Sequence, residues 1–191
     1  MKKQNARQRI LETASKLFGE RGYAGVGINE IIAKSETAKA SFYHHFKSKD
    51  RLCAEWLKEM HQRSEKNHDE ILKQASPPID KLQAYFEYLK EWLTTNNYRG
   101  CPYTNTAVVL EGGSQEIRSE IETHKLYIRD FFIALARDFV TGNDARTLGN
   151  TWFVLYSGAT TEAQNLRSAW PVDVALEAAI GLCPSKGAAP A

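Results

Sequence analysis

Apolar residues recur at three- and four-residue steps along nearly the whole chain, a pattern that predicts helices almost everywhere. Ile10, Ala14, Leu17 and Phe18 share one face of a first helix, with Leu11 widening it. Gly22 falls just past the last periodic residue, where a left-handed cap ends helices, and Tyr23 follows as a ring able to pack back on that helix. A short apolar segment around Ile28, Ile31 and Ile32 comes next, then the polar break Ser35-Glu36-Thr37. A second short helix is expected from about Ala38 to His45, with Phe42 and Phe46 four apart and turned to the core. Two short helices joined by a tight turn after a longer supporting helix make a helix-turn-helix.

The pattern lengthens after residue 50. A long helix carries Leu52, Trp56, Met60, Ile71 and Leu72 and stops before Pro77-Pro78. Leu82, Tyr85, Phe86, Leu89, Trp92 and Leu93 mark a second amphipathic helix that ends at Thr94 to Asn97. A short one from about Tyr103 to Leu110 ends at Gly112-Gly113. Ile117, Ile121, His124, Ile128, Phe132, Leu135 and Phe139 form the longest buried face, and Leu148, Trp152, Leu155, Ala159, Ala163 and Leu166 another. Pro171 opens a last helix with Val174, Ala175, Ala178, Ala179 and Leu182. The expected architecture is all-α with about nine helices, divided into a helix-turn-helix domain over 1–48, a second helical domain over 49–183 and a disordered tail over 184–191.

Charge changes this picture from a fold to a task. Residues 1–51 hold 11 Lys and Arg against 5 Asp and Glu, a net of +6, which leaves 14 against 18, a net of −4, for the rest. A basic end on a mildly acidic body suits a surface for phosphate backbones joined to a body with other work. The stretch SFYHHFKSKDRL from Ser41 to Leu52 then reads as a two-sided helix. With Phe42 and Phe46 inward, Lys39, Ala40, Tyr43 and His44 face the side that a recognition helix presents to the major groove. Ser48 is a candidate cap for the next helix, and Lys49 adds a cation to backbone amides that already favour an anion, so this corner should hold a DNA phosphate.

At these residues, GYAGVGINEIIAKSETAKASFYHHFKSKDRL, the sequence resembles the TetR family of bacterial transcriptional regulators over roughly its first 55 residues. The resemblance implies DNA contacts, mostly at phosphates, from Lys39, Ser41, Tyr43, His44 and Lys49. It departs from the family pattern at Val26 and Gly27, where hydroxyl residues are usual, and at Glu36, where glycine is usual. Gly27 keeps a weak capping ability and exposes backbone amides to a phosphate, whereas Glu36 must adopt a turn that glycine would have allowed, so a strained or altered turn is expected there.

The resemblance also implies a homodimer through the last two helices, on a palindromic operator, released by a small-molecule effector. Gly149, Gly158, Ala159 and Ala163 on one helix and Ala175, Ala178, Ala179 and Gly181 on the other allow close helix approach and are expected at the twofold interface. Tyr85, Leu89, Trp92, Tyr103, Asn105, Tyr127, Phe131, Trp152 and Tyr156 are candidate effector contacts, because rings with a few polar tips suit an apolar organic ligand. Cys101 joins them. Gly100-Cys101-Pro102 is expected to lead into a helix, with Arg99 close, and both favour a thiolate. The loop resembles a Gly-Cys element in a subset of TetR-like regulators, some of which control removal of reactive electrophiles, so a reactive carbonyl, quinone or oxidant is one candidate effector. A small buried filler is the other reading of Cys101.

Other classes find less support. No apolar run reaches the roughly 18 residues of a membrane span, and Met1-Lys2-Lys3 is followed by polar residues rather than a signal core, so a cytoplasmic protein without a membrane partner is expected. Cys53, Cys101 and Cys183 are an odd number at wide spacing, which suits neither a disulfide framework nor a zinc site. No nucleophile motif, metal spacing or cofactor motif is present, and an enzyme is not expected. The alternative is a helical small-molecule-binding or protein-interaction module that has lost specific DNA binding, with Val26, Gly27 and Glu36 as marks of decay.

Overall fold

In the computed structural model, which describes residues 5–73, 77–110 and 114–184, nine helices follow one another among the described residues: α1 (Ala6–Arg21), α2 (Ile28–Lys34), α3 (Lys39–Phe46), α4 (Lys49–Lys73), α5 (Pro78–Thr95), α6 (Pro102–Val108), α7 (Gln115–Ala136), α8 (Gly142–Leu166) and α9 (Trp170–Gly181). The all-helical reading of the apolar periods holds in this order. The Gly112-Gly113 stop lies outside the described residues, as does the expected tail beyond Pro184.

The chain forms two compact units. The first joins residues 1–63 to 102–124, so α1 to α3 share it with the first halves of α4 and α7 and with α6. Here α1 buries Ile10, Leu11, Ala14, Leu17 and Phe18, as the spacing required. Asn5 caps its start by accepting the Gln8 N–H at 2.8 Å, and Gly22 ends it at φ +74° while donating its N–H to the Phe18 carbonyl at 2.8 Å. The ψ of 166° puts Gly22 outside the left-handed helical well, although φ is positive as expected of a terminating glycine.

Within the same unit Tyr103 is buried, donates its hydroxyl to the Leu57 carbonyl at 2.9 Å and stacks on the His124 ring with centroids 3.6 Å apart. His124 Nδ1 lies 3.3 Å from His61 Nδ1, a buried pairing of α4 with α7.

The second unit, residues 64–101 and 125–191, holds a continuous apolar core in which α8 packs along α9 and both pack on α5. Trp152 is fully buried and donates its indole N–H to the Ala179 carbonyl at 3.1 Å, locking α8 to α9. A Cβ on Gly149 would sit 2.5 Å from Ile133 Cα, so glycine is what allows α8 to lie against the α7 backbone. Gly100 is favoured for a different reason: its φ of +67° is a conformation that side chains rarely adopt, whereas the Gln164 amide that a Cβ would meet first is the movable end of a side chain. Arg167 of the α8 cap also donates to Asn97 at 2.8 Å, tying the α5–α6 connection to α8.

These contacts correct one expectation. Gly149, Ala159, Ala163, Ala175 and Ala179 are buried inside this unit, where their small size lets α7, α8 and α9 approach one another. Only Gly158, Ala178 and Gly181 of the small-residue set are exposed. The outward strips are instead Val154, Gly158, Thr161 and Asn165 on α8 and Trp170, Val174, Ala178 and Gly181 on α9. Val154, Trp170 and Val174 are 66%, 55% and 54% exposed, high values for such side chains.

Candidate nucleic-acid interface

The local sequence builds α3 as a two-sided helix. Phe42 and Phe46 are buried, with ring centroids 6.2 Å apart, while Lys39, Ala40, Tyr43 and His44 are exposed and Ser41 is half-buried. Tyr43 stands edge-on to Phe42 at 5.3 Å, which fixes the direction of the exposed ring. The face therefore carries a cation, a methyl, a phenol and an imidazole in a row, groups able to meet phosphate oxygens, base edges and thymine methyls.

The turn before α3 is built around Glu36 at φ +51°, a region that glycine adopts more easily. Arg9 of α1 holds it there, donating from Nε to the Ser35 carbonyl at 3.1 Å and from a terminal nitrogen to the Glu36 carbonyl at 3.3 Å. Ser35 adds a bond from its hydroxyl to the Ile32 carbonyl at 3.2 Å and pairs with the Thr37 hydroxyl at 2.9 Å. Thus the altered turn expected of Glu36 is present, and Arg9, Ser35 and Thr37 brace it with hydrogen bonds.

Two helix starts flank α3. Gly27 is exposed and extended at the N-cap of α2, with no side-chain cap bond. Nearby, Glu30 is paired with both Arg21 and Lys34; the Arg21 hydrogen bond, followed by that from Lys34, holds its carboxyl below the usual carboxylate range. At α4, Ser48 accepts the Arg51 N–H at 3.0 Å, as its capping role required. Lys49 stands in the first turn with its ammonium 4.1 Å from the centroid of the Tyr23 ring. Burial of part of this side chain lowers the ammonium pKa.

Beneath this corner Cys53 is fully buried, and burial together with the neighbouring Asp50 charge pushes its thiol up to about 12. Native protein treated with iodoacetamide at pH 8 is expected to leave Cys53 unmodified, with alkylation appearing only in denaturant; mass spectrometry of the peptide reads the difference. Because folding raises this pKa, its contribution is complete below the unfolded thiol's value and declines above about pH 9 by about 1.4 kcal/mol per pH unit, as the unfolded state alone loses the proton. Urea midpoints measured from pH 8 upward should fall accordingly.

The effector candidates divide between the two units. Tyr85, Tyr127, Phe131 and Tyr156 belong to one aromatic cluster of the second unit, with Tyr85 centred 4.8 Å from Phe131 and 5.8 Å from Tyr156. Leu89 is buried in the same core, Trp92 packs half-buried against it, and Cys101 is buried in this unit. Burial holds the Tyr85 and Tyr156 hydroxyls well above the usual phenol range. Tyr127, whose hydroxyl donates to the Glu65 carbonyl at 3.5 Å, is pushed up to about 12, chiefly by burial. Trp152 has its one polar atom committed to α9. Tyr103 and the half-buried Asn105 belong to the first unit, so this pair is not in the cluster of the second.

Comparison with known proteins decides which class of helical protein this is. The sequence profile of bacterial regulatory proteins of the tetR family matches residues 10–55. The transcriptional repressor DhaR of Mycobacterium sp. (strain GP1) is 32% identical over 144 residues, covering 74% of this chain and 71% of that protein. The chain belongs to the TetR family. A further relative, the transcriptional repressor NemR of Escherichia coli (strain K12), is 24% identical over 183 residues, 90% of each chain. In fold, the crystal structure of the reduced form of E. coli NemR matches with a TM-score of 0.81 at 21% identity, covering 95% of this chain and all of that one. A TetR regulator from Legionella pneumophila matches with a TM-score of 0.83 at 16% identity over 96% of this chain.

As a TetR-family protein, the chain is a DNA-binding transcriptional regulator and not an enzyme. Among the described residues, no helix is long and apolar enough to cross a membrane, and no group of three or more metal-ligating side chains occurs. His68 is the residue of this aromatic cluster that the sequence pattern did not single out. It is buried on α4, stacks on Tyr127 at 5.6 Å and lies 4.8 Å from Phe131 and 5.1 Å from Tyr85. The signal was available: Leu57, His61, Ser64, His68 and Ile71 step by four and three residues along one face of α4.

Proposed function

We propose that this TetR-family chain is a repressor that binds a palindromic operator as a homodimer and is released by a small apolar or electrophilic effector. One observation carries the DNA reading: α3 buries Phe42 and Phe46 while exposing Lys39, Ala40, Tyr43 and His44 from one turned-out face. In this reading those four residues and Ser41 enter the major groove. Gly27 and Lys49, at the starts of α2 and α4, meet phosphates on either side. The exposed strips of α8 and α9 supply the twofold contact, since Val154, Trp170 and Val174 would otherwise stay in water.

For the effector we propose the cluster of Tyr85, Leu89, Phe131, Tyr127 and Tyr156, with Cys101 beside two phenols as the atom an electrophile would meet. Trp92 and Trp152 would bound it, whereas Tyr103 belongs to the other unit, where its hydroxyl holds the Leu57 carbonyl. His68 supports the coupling, because an organic ligand among these rings would displace a side chain of α4 itself, the helix that continues into the first unit. A dimer bound across a promoter then represses by occupying it.

Hydroxyl-radical footprinting on DNA from beside the chain's own gene tests the central part. Two protected half-sites related by a dyad, with centres ~34 Å apart or a multiple of that spacing, are expected. A single protected half-site, or none, would overturn the dimeric repressor.

A further inference from the structure

We propose that Tyr23 is the positioning residue that holds Lys49 ready for a DNA phosphate, an inference that rests on Lys49 being a phosphate contact. Tyr23 follows Gly22, the positive-φ residue that ends α1, so the turn projects its ring toward α4 rather than leaving it on α1 alone. That ring packs against Phe18 at 6.0 Å, and Phe18 in turn against Trp56 of α4 at 5.3 Å. Its hydroxyl donates to Asp50 Oδ1 at 2.5 Å. Its face lies under the Lys49 ammonium at 4.1 Å. One side chain thus grips two successive residues in the first turn of α4.

The two grips do different things. A lysine side chain normally gives up much rotamer freedom when it binds a phosphate, and a ring beneath the ammonium removes part of that cost beforehand. The ring also displaces water from the cation, which strengthens its attraction to an incoming anion. Meanwhile the phenol ties down the Asp50 carboxylate, the one negative side chain in the first turn of α4, where it would otherwise compete with the phosphate for Lys49. The arrangement is independent of DNA sequence, so Tyr23 sets affinity and not base preference.

Fluorescence anisotropy on operator DNA, over a salt series, tests this with Tyr23→Leu, Tyr23→Phe, Lys49→Gln and the Tyr23→Leu/Lys49→Gln double variant. With two seats per dimer, each contributing like an exposed to partly desolvated cation–π contact, Tyr23→Leu is expected to weaken binding about 10-fold. Tyr23→Phe, which keeps the ring, should weaken it less than about 3-fold, and Tyr23→Leu should add nothing once Lys49 is gone. A loss from Tyr23→Leu that persists at full size in the Lys49→Gln background, or the absence of any loss while Lys49→Gln weakens binding, would overturn the proposal alone. An unchanged affinity and salt slope in Lys49→Gln would remove the phosphate reading of Lys49, and the proposal with it. If the leucine variant does not fold, a ring-fluorinated phenylalanine at position 23, compared with Tyr23→Phe, keeps the shape while weakening the ring's attraction for cations; binding equal to that of Tyr23→Phe would count against the seat, and weaker binding for it.

Discussion

Replacing Val174 by aspartate is expected to convert the protein to a monomer and to weaken operator binding on the order of 10³-fold, through a residue that touches no DNA. Val174 is 54% exposed on α9, four residues from Trp170, which is 55% exposed on the same face. In a twofold interface each substitution occurs twice, so two carboxylates would be desolvated in the proposed contact, at a cost of several kcal/mol. The DNA consequence follows from symmetry: a lone subunit reads one half-site and forfeits about half of the specific binding free energy. Sedimentation velocity at micromolar concentration reads the first effect and anisotropy the second. Because Val174 is largely exposed within one chain, the fold should survive with a nearly unchanged melting temperature. A Val174→Asp protein that stays dimeric would place the twofold contact elsewhere.

The second large effect is expected at the DNA face itself. Tyr43 is 42% exposed on α3, and Lys49 stands at the start of α4, one helix removed. If both meet DNA as proposed, truncating them to alanine removes two contacts per subunit and four per dimer. At about 1 kcal/mol for each, binding should weaken by about 10³-fold. Lys49 also sets the salt dependence: losing one cation per subunit should reduce the slope of log K against log salt by about 2. Tyr43→Ala alone should lower affinity with little change in slope, since a phenol releases no counterion.

The fold was legible wherever one apolar period ran uninterrupted. Phe42 and Phe46 at a four-residue step already gave the two faces of α3, and Gly22 and Ser48 already marked the ends that the structure gives α1 and α4. Glu36 at φ +51° was likewise readable, as an amino acid standing where a turn wants glycine. What the sequence could not show is which neighbour a small residue serves. Gly149 and Ala159 look the same on a helical wheel whether the close partner is a second copy or another helix of the same chain, and only the packing of Gly149 against Ile133 and the burial of Ala159 in the core separate the two. The same ambiguity affects Tyr103, whose aromatic and polar character suits a ligand but whose hydroxyl is used by the Leu57 carbonyl. His68 went unread because a polar residue on an apolar face interrupts the count, although it lies buried among the Tyr127 and Phe131 rings. Tyr23 looked like a packing residue until the structure brought Lys49 and Asp50 to its face and rim.

The most direct test of the account compares the wild-type protein with the Tyr43→Ala, Lys49→Ala variant by fluorescence anisotropy on DNA from beside its own gene, across a salt series. The account predicts tight binding by the wild type, at least 10³-fold above that to scrambled DNA, and loss of that preference in the variant with a shallower salt slope. Weak binding by the wild type that ignores both sequence and the two substitutions would contradict it.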